Sequence, residues 1–266
     1  MRYWWNEKAS WADESNPFDS ALVAAALRGI ARVLGPSDRA AAATRLVTRP
    51  MGPARLTQLK RWLLPIGATP YQVMCWAAAN LAAHALLRPN EFLGTYLLDH
   101  RAIRIGQLSF HLASTACIPG IHQGAPHAVT LTLDATKADQ HALNGKIILD
   151  HPSAVQAVWE WAVLRRRLYA NGDHFFHLPP ARPLSIASLL RQLESACSLG
   201  GEGPQHLTGR CFRRGGTTDL VSAGCTALHI QSIGRWKSRA MIAVYSDPLA
   251  LTHRAAAALE GRMAPL

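Results

Sequence analysis

The hydrophobic period of this chain changes twice, and that pattern constrains the fold more than any other feature. Apolar residues recur at helical spacing over residues 21–34 and 71–87, and a further helix is expected to start at Pro53 and run through residue 64. The middle then breaks into short aliphatic and β-branched runs, at residues 96–105, 109–112, 128–133 and 146–149, separated by Gly, Pro and Asn. Helical spacing resumes at 153–169, 185–198, 211–223 and 227–233, with another pair of helices expected around Tyr245 and after Pro248. No internal repeat is evident. The pattern predicts a mostly helical α+β protein whose small antiparallel sheet follows the first few helices.

Local signals divide this plan. Gly35-Pro36 stops the first helix, residues 37–55 read as a basic connector, and a domain boundary is expected near residue 45. The run 73–87 is apolar but carries Asn80 and His84, and it is too short to span a bilayer, so it reads as a buried helix and no membrane partner is expected. The N-terminus leads into a charged stretch and has no signal-peptide core. Five widely spaced cysteines without a C-x-x-C pair suggest neither a disulfide framework nor a zinc ribbon, and a reducing, intracellular setting follows. The nearest histidine pairs, His122 with His127 and His174 with His177, form no recognised zinc spacing, so no metal is expected. With 28 Lys+Arg against 17 Asp+Glu, the formal charge of +11 suits a polyanionic partner.

The most specific segment is Arg210-Cys211-Phe212-Arg213-Arg214-Gly215-Gly216-Thr217-Thr218, followed by Ile233-Gly234-Arg235-Trp236-Lys237-Ser238 and then Tyr245. Upstream stand Arg88-Pro89-Asn90-Glu91, between an apolar helix and the sheet, and Thr136-Lys137-Ala138-Asp139-Gln140, after the strand 128–133. Together these resemble the tyrosine recombinases, the phage-integrase-like family. That family carries Arg-x-x-Glu, a β-hairpin lysine, His-x-x-Arg, Gly-x-His or Gly-x-Trp, and a tyrosine nine residues later, in this order. The resemblance covers roughly residues 47–250. It implies a catalytic domain over residues 46–266, preceded over residues 1–45 by a truncated remnant of the N-terminal core-binding helical region and linker.

The resemblance implies a site of Arg88, Lys137, Arg210, Arg213, Trp236 and Tyr245, and the chemistry is consistent with it. A phosphodiester repels nucleophiles, and charge grows on its oxygens as a fifth ligand arrives. Guanidinium forks at Arg88 and Arg213 would clamp those oxygens, each contributing roughly 3 kcal/mol or more. Tyrosine phenols ionise near pH ~10, so Tyr245 needs that cationic surround to attack and form a 3′-phosphotyrosyl intermediate. Lys137 is the candidate general acid for the leaving 5′ oxygen. Trp236 offers an indole N–H to the phosphate or a flat wall beneath the tyrosine. One phosphoester replaces another, so neither ATP, a metal nor another cofactor is expected.

Arg210 departs from the family, which most often has histidine there. Arginine can bind phosphate but cannot serve as a base. The implied function is site-specific recombination or integration on double-stranded DNA by a homo-oligomer, a tetramer, in which the segment 248–266 docks on a neighbour. The compartment would be the cytoplasm and nucleoid of a bacterium or the nucleus of a eukaryote. A different reading is a catalytically weak or inactive DNA-binding remnant of a mobile-element integrase, and a third is a relaxing topoisomerase of similar chemistry. Structural roles also compete: Tyr245 as a core helix residue, Arg88 paired with Glu91, Lys137 paired with Asp139. Gly215-Gly216 inside a helix suggests close helix packing, and Arg165-Arg166-Arg167 a solvated face.

Overall fold

The computed structural model describes residues 49–93, 102–112, 115–122, 124–133, 145–169, 173–179, 183–202 and 206–246. The expected helices at 21–34 and after Pro248, Lys137 with its hairpin, and the first part of the expected strand 96–105 lie outside the described residues. The chain divides into two compact units, Met1–Val47 and Thr48–Leu266. All that follows concerns the second.

Its first described helix, α1 (Pro53–Leu63), opens with proline at its first position, where the missing N–H is no loss. Asp219, far along the chain, accepts the Ala54 N–H at 2.9 Å and so caps this helix from outside. Helix α2 (Pro70–His84) starts at a capping box. There the Gln72 N–H donates to Thr69 Oγ1 at 3.3 Å, while the Thr69 N–H donates to Gln72 Oε1 at 2.9 Å. Every residue of α2 from Met74 to Ala83 is buried, as expected of a helix apolar on all sides. Its polar member, Asn80, donates to the Trp76 carbonyl at 2.9 Å.

Pro89 pushes Arg88 into an extended conformation and starts the single turn α3 (Pro89–Phe92). The sheet follows, with β1 (Leu108–Leu112), β2 (Thr115–Cys117), β3 (Ala128–Thr132) and β4 (Lys146–Leu149) in the order β2-β1-β3-β4, antiparallel throughout. Register places Phe110 opposite both Cys117 and Val129, and Leu131 opposite Ile147. Residues 102–105, expected as the end of a strand, form none. A 3-10 turn begins at Ile105, and Arg104 pairs singly with His174. The strand β2 was not expected, because three residues carry too little periodicity to register.

Helix α4 (Pro152–Leu168) lies along α2, followed by α5 (Ile186–Leu199), α6 (Cys211–Ser222), α7 (Ala227–Gly234) and α8 (Ala240–Tyr245). The main core joins α1, α2, the sheet, α4 and α5, and includes Phe175 and Phe176. The Trp161 indole donates to the Phe175 carbonyl at 2.9 Å within it. One expectation needs correcting: of the three consecutive arginines, Arg166 and Arg167 are exposed, but Arg165 is buried. It lines a cavity of about 550 Å³ with Phe110, Tyr169 and Phe175, because the helical turn carries it to the inner face of α4.

The glycine pair of α6 does what helical glycines are suited to do. A Cβ on Gly215 would lie 2.0 Å from the Gly52 nitrogen, and one on Gly216 would lie 2.2 Å from the Ala83 carbonyl oxygen. Backbone therefore meets backbone on two sides of one helix, and the Met51 N–H donates to the Cys211 carbonyl at 2.9 Å along the same contact. Gly216→Ala gains about 1 kcal/mol of helix propensity but forces backbone apart. It is expected to lower the unfolding free energy by about 1–3 kcal/mol or more, read by urea denaturation. A rise in stability would mean that α6 and α2 are not in contact.

Candidate active site

A smaller apolar cluster of Leu86, Ile230 and Trp236, flanked by Leu220, Met241, Ile242 and Tyr245, forms the floor of the site. Arg213 enters it from the first turn of α6 and is 1% exposed. Its NH2 donates to the Gly234 carbonyl at the end of α7. The remaining buried nitrogens, Nε and NH1, have no hydrogen-bond partner among the described residues. Unpaired donors of this kind are rare in folded proteins because each one forfeits its hydration.

Beside Arg213 lie two aromatic rings. Trp236 and Tyr245 stack with centroids 5.3 Å apart and planes 12° from parallel. The Arg213 guanidinium carbon is 5.3 Å from the Trp236 centroid and 5.5 Å from that of Tyr245. Both distances are within cation–π range. The Trp236 indole nitrogen is buried and likewise lacks a partner. Tyr245 ends α8 and is half-buried, with its ring packed against this cluster. The nine-residue spacing thus brings the two rings face to face.

Arg88 comes from the other side of the molecule's sequence but reaches the same place. It caps α3, and its NH1 donates to Glu91 Oε1 at 2.8 Å, while its backbone N–H donates to Glu91 Oε2 at 2.8 Å. The competing role for Arg88, an ion pair with Glu91, is therefore present, though not as a surface pair: the arginine side chain is 26% exposed and the carboxylate 5%. Glu91 has a second partner that the sequence did not suggest. Arg235 NH2 donates to Glu91 Oε2 at 2.7 Å, and Arg235 NH1 to the Ala85 and Ile233 carbonyls, both at 3.0 Å. Arg235 itself has left-handed backbone, φ 52°, which costs a non-glycine residue about 1–2 kcal/mol. The only signal for it in the sequence was its place between Gly234 and Trp236.

Arg210 stands apart from this group. It caps α6 through backbone only, is exposed, and its side chain bonds nothing among the described residues. The turn before it rests on the Pro89 ring: a Cβ on Gly209 would lie 2.2 Å from Pro89 Cγ. Arg210 is therefore at the rim near Arg88. Lys137 lies outside the described residues. Among the described residues no group of three or more His, Cys, Asp or Glu could hold a metal ion, and no helix is long and apolar enough to cross a membrane. His122 is engaged locally, its Nδ1 accepting the Ile118 N–H at 2.9 Å.

Electrostatics follow from this burial. Three guanidiniums (Arg88, Arg213 and Arg235) surround a single carboxylate, Glu91. Burial, and next the Arg88 charge, bring the Arg213 guanidinium down to about 9, with Glu91 and Tyr245 pulling the other way. It keeps its proton at neutral pH but lacks a full counter-charge. Burial likewise lowers Arg235, offset in part by Glu91. For Glu91 burial alone would raise the carboxyl, yet Arg235, the Arg88 N–H, Arg213 and Arg88 together hold it below the usual carboxylate range. The arrangement is short of negative charge, and its unpaired buried donors are of the kind that an oxyanion satisfies.

Among solved structures, the chain is similar to XerH site-specific recombinase bound to palindromic difH substrate in a post-cleavage complex, with TM-score 0.53 and 16% identity over 78% of this chain and 52% of that one. It is also similar to XerH in a pre-cleavage complex, with TM-score 0.53 and 16% identity over 74% of this chain and 50% of that one. A third is XerA recombinase, with TM-score 0.52 and 14% identity over 84% of this chain and 66% of that one. The mostly helical fold with its small four-stranded antiparallel sheet is similar to that of tyrosine recombinase catalytic domains. The chain spans about half the length of the two XerH chains. No family model matches the chain, and no curated protein does.

The depressed Glu91 carboxyl makes a signed prediction. A carboxylate held below its unfolded value, ~4.3, contributes stability that is complete above that pH and is lost as pH falls through the folded value. The thermal midpoint of the unaltered protein should exceed that of Glu91→Gln by a constant margin from about pH 5 upward, and the margin should shrink below about pH 4. A margin independent of pH from 3 to 7 would mean that the Glu91 charge is not held by its arginines.

Proposed function

We propose that this protein is a site-specific DNA recombinase or integrase that cleaves and rejoins strands through a covalent 3′-phosphotyrosyl intermediate on Tyr245. The observation that carries the reading is Arg213: a buried cation whose Nε and NH1 have no partner among the described residues, lying 5.3 Å and 5.5 Å from the ring centroids of the stacked Trp236 and Tyr245. A phosphodiester oxygen satisfies both the charge and the geometry that this group lacks. The similarity to recombinase folds supports the same conclusion.

In this mechanism Arg213 and Arg88 bind the non-bridging oxygens and stabilise the charge that accumulates there. The Tyr245 oxygen attacks phosphorus, the P–O5′ bond breaks, and Lys137 delivers the proton that the departing 5′ oxygen takes up. Trp236 donates its indole N–H to the phosphate and keeps the phenol ring in plane. Arg210, at the rim, contacts the backbone without moving a proton. The phenol proton must then pass to an acceptor other than Arg210. Rejoining reverses these steps with a new 5′ hydroxyl as nucleophile, and since a phosphoester is retained throughout, no ATP or metal is consumed. The partners are double-stranded DNA and further copies of the chain, as a tetramer inside the cell, with residues 1–45 belonging to the core-binding helical region and linker.

The exposed position and non-titrating chemistry of Arg210 favour one other reading, a DNA-binding remnant with little or no cleavage activity. A nicked suicide substrate from the native genomic flank separates the two. The unaltered protein is expected to give a denaturation-resistant protein–DNA adduct, Tyr245→Phe none, and Arg213→Ala about 10²–10³-fold less than the unaltered protein. Gel-shift binding without any adduct would establish the remnant instead.

A further inference from the structure

Among the described residues, two other than glycine have left-handed backbone, Leu86 (φ 48°) and Arg235 (φ 52°). They are bonded to each other. Arg235 NH2 donates to the Leu86 carbonyl at 3.4 Å, and NH1 to the carbonyl of Ala85 beside it at 3.0 Å. One turn lies two residues before Arg88; the other immediately precedes Trp236. The same guanidinium grips Glu91, which in turn holds Arg88 by side chain and by backbone. Both ends of the site are therefore fastened to one side chain.

We propose that Arg235 is a positioning residue that sets the separation between Arg88 and the Arg213–Trp236 pair, acting through Glu91 and the Leu86 turn and without touching DNA. This rests on the strand-transfer reading of the site.

Four acceptors engage its two terminal nitrogens: the Ala85, Leu86 and Ile233 carbonyls and the Glu91 carboxylate. Its side chain is 11% exposed; Nε is buried and has no partner among the described residues, while both terminal nitrogens are turned to these protein acceptors. Glycine adopts the left-handed conformation at no steric expense. An arginine held there is best explained by what its side chain does. Lysine could not substitute, because a single ammonium cannot span acceptors spread across a planar fork.

Arg235→Gly is the discriminating variant, since it keeps the turn and removes the guanidinium. On the nicked substrate at saturating DNA, its adduct should form about 10²-fold more slowly than that of the unaltered protein, the scale of a ~1 Å displacement of catalytic groups. Its gel-shift affinity should stay close to the original, and although loss of the Glu91 partner lowers its thermal midpoint, it should remain folded at the assay temperature. Arg235→Lys should be as slow, and millimolar guanidinium should recover part of the Arg235→Gly rate. An Arg235→Gly rate equal to the original, or a loss that follows weakened DNA binding or unfolding, overturns the proposal.

If the unaltered protein forms no adduct, the strand-transfer reading fails separately, and inorganic phosphate decides the positioning role. Phosphate should then shift the Trp236 indole resonance in ¹⁵N spectra, assigned by its absence in Trp236→Phe, and that response should be lost in Arg235→Gly. The same titration in both proteins, or no response in either, overturns the proposal.

Discussion

The architecture depends on two places where backbone touches backbone along α6. Gly215 lies against Gly52 and Gly216 against the Ala83 carbonyl, at separations that exclude any side chain. These contacts press α6 onto α2 and onto the entry to α1, so the residues one turn earlier are carried into the interior. Arg213 is buried because α6 can come this close, and its charge is then sealed among Leu86, Ile230 and Trp236. The glycines touch no reacting atom, yet without them the guanidinium would sit at a solvated surface where its field is screened.

Burying cations is unfavourable, and this site buries more positive than negative charge. Glu91 compensates part of it, shared between Arg88 and Arg235, and the Gly234 carbonyl takes one donor of Arg213. What remains is an electrostatic debt in an apolar pocket, which an incoming phosphate would settle. Preorganisation of that kind places the reorganisation energy in folding and not in the proposed strand transfer. The aromatic pair packs beside Arg213 and covers one side of it with apolar surface.

Much of this was legible in the sequence because it rests on local signals. The apolar run of α2, interrupted by Asn80 alone among its buried residues, read as a buried helix and is one. Pro89 announced that Arg88 would be extended, and the double glycine announced a close helix approach. The sequence left Trp236 two roles, a phosphate donor or a wall beneath Tyr245, and did not give their parallel stacking, which depends on where α8 lands. Arg165 misled because periodicity ranks faces by apolarity, and a triple arginine must still turn one member inward on a helix packed against a sheet. Arg235 was illegible for a different reason. Its partners Ala85, Leu86 and Glu91 are brought to it by tertiary folding, and no local pattern encodes a left-handed arginine.

The tie between Arg235 and Ala85 spans 150 residues of chain. Closing so long a loop carries an entropic penalty that only the assembled helices can offset. A nascent chain on the ribosome therefore cannot hold this site until residue 235 has emerged, however completely α2 and the sheet have already folded. If the protein cuts DNA as proposed, synthesis order itself withholds that capacity from every nascent chain from which residue 245 has not yet emerged.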